Sequence, residues 1–155
     1  MPDKIKQPKN VNICDGNFKA TLAWHSGFAD GRNADFSTAQ KFIDSECIRL
    51  MSRYTPMRNG LLAKSPILGT KIGSGHIVYA SPYARYQYYG VLMVSSVNGS
   101  AWARSGESKV LTNKPLQYDK TKHPQAQRLW FETMKTNHGK AILRGAAAVA
   151  GGKVK

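Results

Sequence analysis

Residues 37–56 read Ser37-Thr38-Ala39-Gln40-Lys41-Phe42-Ile43-Asp44-Ser45-Glu46-Cys47-Ile48-Arg49-Leu50-Met51-Ser52-Arg53-Tyr54-Thr55-Pro56, and the spacing inside this stretch decides the fold. Ala39, Phe42, Ile43, Cys47, Leu50, Met51 and Tyr54 recur at intervals of three and four, which places them on one stripe of a helix. Lys41, Asp44, Ser45, Arg49 and Ser52 fall largely on other faces. Ser37 or Thr38 starts the helix, and Pro56 stops it because the residue before a proline avoids the helical region. A second stripe follows Pro124, which opens a helix at its first turn: Ala126, Leu129, Trp130, Thr133, Met134 and Asn137. That helix either breaks at Gly139 or runs on through Ala141, Ile142 and Ala146 to Val149, before Gly151-Gly152 ends it.

The rest of the chain reads as strands, turns and one short aromatic element. Asp15-Gly16 is a hairpin-type turn, and after it Phe18, Ala20, Leu22 and Trp24 alternate with Lys19, Thr21 and Ala23 as in a half-buried strand. Residues 25–37, rich in Gly, Asp, Asn and Ser, are expected to form a loop. Residues 59–65 are a short turn of helix or an extended link. Leu68, Thr70 and Ile72 before Gly73-Ser74-Gly75, with His76-Ile77-Val78-Tyr79-Ala80 after it, predict a second hairpin. Val91–Val94 and Val110-Leu111 are further strand candidates. Residues 79–90 hold five of the seven tyrosines, with Ser81-Pro82 able to open a helix and Gly90 able to close it. The order of elements predicts an α+β domain: an antiparallel β-sheet packed by two long α-helices plus a short aromatic helix.

Length fits a single domain over residues 11–150. Residues 1–10, with three lysines and two prolines, read as a flexible or partner-ordered arm, and residues 151–155 as a basic tail. Residues 95–109 lack periodicity and form an extended loop, of the length that usually serves function or a partner. Twenty-three Lys and Arg against nine Asp and Glu give a net charge of +14. That balance points to an anionic partner: nucleic acid, a membrane surface or an acidic protein face. No five like charges stand in a block, which disfavours a simple nucleic-acid arm.

The residues that carry chemistry are scattered. The carboxylates have no spacing suited to paired acid–base work, and Asp44 and Glu46 lie on different helix faces. His25, His76, His123 and His138 are far apart, and Cys14 and Cys47 show no zinc spacing; both thiols are expected free, with Cys47 buried. Gly69-Thr70-Lys71 with Gly73-Ser74-Gly75 lacks the order of a phosphate loop and reads as a β-turn. No catalytic, cofactor or metal residues are therefore expected. No leader peptide is apparent and no apolar run approaches membrane-spanning length, so no membrane is expected and folding in a cytosol is. Tyr83, Arg85, Tyr86, Tyr88 and Tyr89 suit either a base-stacking platform or a protein contact. Protein contact weighs more, because tyrosine and arginine dominate the energetics of protein interfaces. The candidate interface residues are Tyr86, Tyr88, Tyr89, Trp102 and Arg104.

Three blocks resemble a known family. Tyr54-Thr55-Pro56-Met57-Arg58-Asn59-Gly60-Leu61-Leu62 is similar to the Pro-x-x-x-Gly-x-Leu signature of tailed-phage minor capsid and tail-completion (head–tail joining) proteins. Ile77 to Gly90, with Pro82-Tyr83-Ala84-Arg85 and an aromatic-Gly end, is similar to that family's next block. His123-Pro124 followed by Trp130-Phe131-Glu132 and a basic helix to Ala148 resembles its last. Together the blocks cover about residues 38–150, in the family's order. The resemblance implies a non-enzymatic neck subunit, made in the host cytoplasm and residing in the virion. It would form a homo-oligomeric ring among a head-closure protein, a tail terminator and the tail tube, with non-specific contact to DNA crossing the channel. It also implies architectural roles for Pro56, Gly60, Leu61, Pro82, Tyr83, Ala84, Gly90, Pro124 and Trp130, with Leu61 and Leu62 locking a turn into the core. The alternative is a basic nucleic-acid-binding module; a small hydrolase built from the distant histidines ranks third.

Overall fold

Both apolar stripes become helices, and their faces meet. The computed structural model describes residues 4–152, in the order β1 (Val11–Asp15), β2 (Phe18–Leu22), α1 (Phe28–Met51), α2 (Leu61–Gly69), α3 (Ala84–Tyr89), β3 (Val91–Ser95), β4 (Lys109–Pro115) and α4 (Trp130–Val149). The first three residues of the arm and the last three of the basic tail lie outside that range. The class is α+β, with antiparallel strands, two long helices and a short aromatic one. The core lies between α1 and α4: Cys47, Leu50, Met51 and Tyr54 from one side meet Trp130, Met134 and Ile142 from the other. α4 passes through Gly139 unbroken. At Gly145 a side chain would stand 2.6 Å from the Phe42 ring, so the bare backbone there lets α1 and α4 approach.

The strands form two separate two-stranded sheets rather than one. β1 pairs with β2 from Val11↔Leu22 to Asp15↔Phe18, turning at Asp15-Gly16 as the sequence predicts. β3 pairs with β4 from Val91↔Pro115 to Ser95↔Lys109, with an irregularity between Val91 and Met93. The intervening chain contributes no strand to join them.

α1 starts about two and a half turns before the expected Ser37, because the arm caps its first turn. Gly27 caps the helix without a side-chain bond. One missing partner comes from the arm: Gln7 Oε1 accepts from Ala29 N–H (3.0 Å), and the Asn33 side chain holds the arm in place through the N–H and the C=O of Ile5 (2.9 and 3.0 Å). Asp30 sits in the first turn, where the helix dipole favours a negative charge. The segment expected as a loop over 25–37 is therefore mostly helix.

The second predicted hairpin does not form. Leu68 ends up in α2, and residues 76–80 form no regular element and pair with no strand. The amide hydrogens a ladder would use are spent otherwise. Gly73 and Gly75 N–H both donate to Asp44 Oδ2 (2.7 and 3.2 Å), and Val78 N–H donates to Thr70 Oγ1 (2.9 Å). Asp44 also accepts from Gln40 Nε2 (2.8 Å) and is buried, although its place in the stripe pattern puts it on a polar face. A carboxylate can leave water when amide donors replace its hydration, and these three do so.

α4 begins at Trp130 and not at Pro124. Pro124 opens only the turn closed by Ala126 N–H to His123 O (2.9 Å). The next donors go to other segments: Gln127 N–H to Tyr54 O (3.1 Å) and Leu129 N–H to Tyr88 O (2.8 Å). Leu129 has φ 50°, the one non-glycine residue with positive φ among those described, and tertiary hydrogen bonds hold it there.

Two outcomes test these assignments. Gly60, at the N-terminus of α2, has φ 83° and faces Met57 Cε. Gly60→Val is expected to lower stability by about 1–3 kcal/mol, because a β-branched residue is strained at positive φ; unchanged urea unfolding would contradict it. Asp44→Ala strands the Gly73 and Gly75 amides and is expected to cost about 1–3 kcal/mol. Amide exchange at Gly73 should accelerate in that variant, and a protected Gly73 amide would refute the anchor.

Candidate functional site

The three motif blocks meet at one junction around Trp130. Tyr54-Thr55 arrive at the end of α1, where Thr55 Oγ1 donates back to Met51 O (2.9 Å) just before Pro56. Thr55 Oγ1 also lies 3.3 Å from the Tyr79 hydroxyl of the second block. His123 of the third block stands with Nδ1 2.8 Å from Thr55 O. A carbonyl only accepts, so that nitrogen carries the proton. The Tyr54 hydroxyl accepts from Asn137 Nδ2 (3.2 Å) and lies 3.0 Å from His138 Nε2. Trp130, 2 % exposed, is clasped by Tyr79 and Tyr88 at ring distances of 5.4 and 4.9 Å, the Tyr88 ring edge-on. Tyrosines suit such a junction because the ring fills the core while the hydroxyl finds a partner.

α3 carries the remaining motif residues. Pro82 and Tyr83 are exposed ahead of it, and Ala84 begins it, half-buried. Gly90 is buried, closes α3 at φ 72°, and gives its N–H to Tyr86 O (2.9 Å). Tyr118 donates its hydroxyl to Gln87 O (2.6 Å), packing the chain after β4 beneath α3. Leu61, expected in the core, is 62 % exposed; Leu62 packs against the core in its place. At an α2 N-terminus beginning at Gly60, consecutive residues point in different directions, and only one can face inward.

The candidate interface residues do not form one patch. Tyr88 is half-buried against Trp130. Tyr86 is half-buried beneath the Lys109 ammonium, 6.0 Å from its ring centre. Tyr89 is exposed, and Trp102, 86 % exposed, projects with Arg104 from the loop between β3 and β4. That loop is folded on itself: Ser95 Oγ donates to Glu107 Oε2 (2.9 Å), which also accepts Arg104 N–H (3.1 Å). Lys109 Nζ donates to Ala101 O (2.8 Å).

A groove of about 860 Å³ lies between α1, residues 75–79, α3 and the start of α4. Ile43, Cys47, Tyr79, Tyr89 and Phe131 give it apolar walls, with Arg85 at the rim. It was not legible in sequence because its walls come from four segments. Among the described residues no cluster of three His, Cys, Asp or Glu side chains could hold a metal ion, and no helix is long and apolar enough to cross a membrane. Cys14 is exposed and Cys47 buried, both as free thiols. Burial, with Asp44 and Glu46 nearby, pushes the Cys47 thiol above its usual range. Comparison with protein-family models, with curated proteins and with solved structures finds no match to this chain.

Burial also raises the tyrosine hydroxyls of the junction and of the neighbouring α3 contacts. Tyr79, Tyr86, Tyr88 and Tyr118 are all held above the ordinary tyrosine range, chiefly by desolvation; at Tyr79 the bond to Thr55 opposes the rise. In the unfolded chain these phenols would lose their protons first. Their contribution is therefore complete below a pH of about 10 and is lost as the pH climbs through the higher folded values. Urea unfolding followed from pH 8 to 11 should show stability falling above about pH 10, with Tyr79→Phe flattening the fall. A curve independent of pH in that range would contradict the buried junction.

Proposed function

We propose that this chain is a non-enzymatic structural subunit of a tailed bacteriophage neck, of the tail-completion type. It assembles as a ring between head-closure proteins and the tail tube or terminator. The observation that carries this reading is the convergence of the three motif blocks. Tyr54-Thr55, Tyr79–Tyr88 and His123–Trp130 are separated by long stretches of chain, yet they hydrogen-bond and stack on each other at one junction. Residues serving architecture are expected to interlock in this way. The surface agrees with a chain designed for assembly. The β1–β2 hairpin stands off the helical core, and a two-stranded hairpin is marginal in water unless something packs on it.

The charge suits a ring threaded by DNA. Among the described residues the ion pairs are Arg32–Asp35 and Arg49–Glu46, both local, so most of the cations have no carboxylate partner. A lumen that lets DNA slide needs diffuse positive charge and no base reading. The same uncompensated charge is the observation that favours the alternative, a basic nucleic-acid-binding module.

Disrupting the gene in a phage that encodes this chain is expected to yield DNA-filled heads separated from complete tails, and supplying the protein in trans should restore joined particles. Normal virions from the disrupted phage would sink the neck reading. Tight, strongly salt-dependent DNA binding by the monomer, measured by electrophoresis at low and moderate salt, would move the assignment to the nucleic-acid module.

A further inference from the structure

We infer that the β1–β2 hairpin of one copy docks in the aromatic groove of the next, so that the chain associates head to tail; this rests on the ring reading above. The pairing Val11↔Leu22, Ile13↔Ala20 and Asp15↔Phe18 puts these six side chains on one face and Asn12, Cys14, Lys19 and Thr21 on the other. The first face is apolar apart from Asp15, and Val11, Ile13, Phe18 and Leu22 are 48–64 % exposed. Alternation of this kind predicts burial, and within its own chain only Ala20 of this face is even half-buried.

The groove supplies the matching concave surface. Its walls run along α1 from Gln40 to Met51, about 17 Å at the helical rise. A five-residue strand such as β1 spans about 14 Å and fits within that length. The charges also match. Asp15 is the single charged residue on the apolar face of the hairpin and has no ion-pair partner among the described residues. Arg85 at the groove is likewise unpaired, and the other charged side chain there, Asp44, is occupied by Gln40, Gly73 and Gly75. A convex and a concave surface on the same chain, each without a partner, make a heterologous contact, which closes into a ring when the rotation between copies allows.

The test is sedimentation velocity on the full chain at moderate salt. The wild-type protein is expected to self-associate at tens of micromolar or below. Asp15→Arg and Arg85→Asp should each weaken association about tenfold or more, and the double variant D15R/R85D should recover most of it. Phe18→Asp lies on an exposed surface and should abolish association while leaving the circular dichroism and melting of the monomer unchanged. A monomeric wild-type protein would overturn the inference. So would a wild-type-like assembly of Phe18→Asp or Asp15→Arg, and that second result would leave the ring reading standing, with its interface elsewhere. Failure of the charge reversal to rescue would overturn the Asp15–Arg85 contact and with it the proposed orientation.

Discussion

The burial of Trp130 is the constraint on which the rest depends. One indole at the start of α4 is enclosed by the end of α1 and by two tyrosines from the segment between α2 and β3. A tryptophan carries a large apolar surface, and removing such a side chain from a core costs about 3–5 kcal/mol. Holding it there requires the backbone on either side to be fixed. Leu129 adopts a left-handed conformation, Gln127 and Leu129 spend their amides on Tyr54 and Tyr88, and His123 reaches Thr55. With those bonds in place α4 has one possible direction, and Gly145 lets it lie close on Phe42.

A second, smaller anchor orders the chain between the helices. Asp44 gathers two glycine amides from a segment that no strand claims. The 70–80 segment thereby lies across α1 and forms one wall of the groove, with Tyr79 delivered to Trp130. Structural and surface features are linked through this carboxylate: the same bond that stabilises the turn shapes the concavity.

What the sequence revealed was local. The two helical stripes, the Asp15-Gly16 turn, the short helix between Ser81 and Gly90 and the strand at Val91 depend on neighbours three or four residues away, and each is present. The failures arise where a distant group overrides local preference. Residues 25–37 look like a loop until Gln7, on an arm held by Asn33, caps the helix start. The 68–80 stretch looks like a hairpin until Asp44 takes its amides. Pro124 looks like a helix start until Tyr54 and Tyr88 claim the donors that follow. The candidate site was legible as residue types and not as a surface: Tyr88 turned inward, Trp102 outward, and the groove had no signature because four segments build it.

The core joins residues 47–54 to residues 130–142, since α1 closes on α4. Contacts of such long sequence separation form late, after the entropy of closing a large loop has been met. The hairpin β1–β2, by contrast, pairs within its own twelve residues and is made before the other described elements. A nascent chain therefore carries the hairpin segment while it has no groove, because Phe131 and Trp130 have not yet been made. A partner that seats in the groove can therefore engage the chain only after residue 131 has been made.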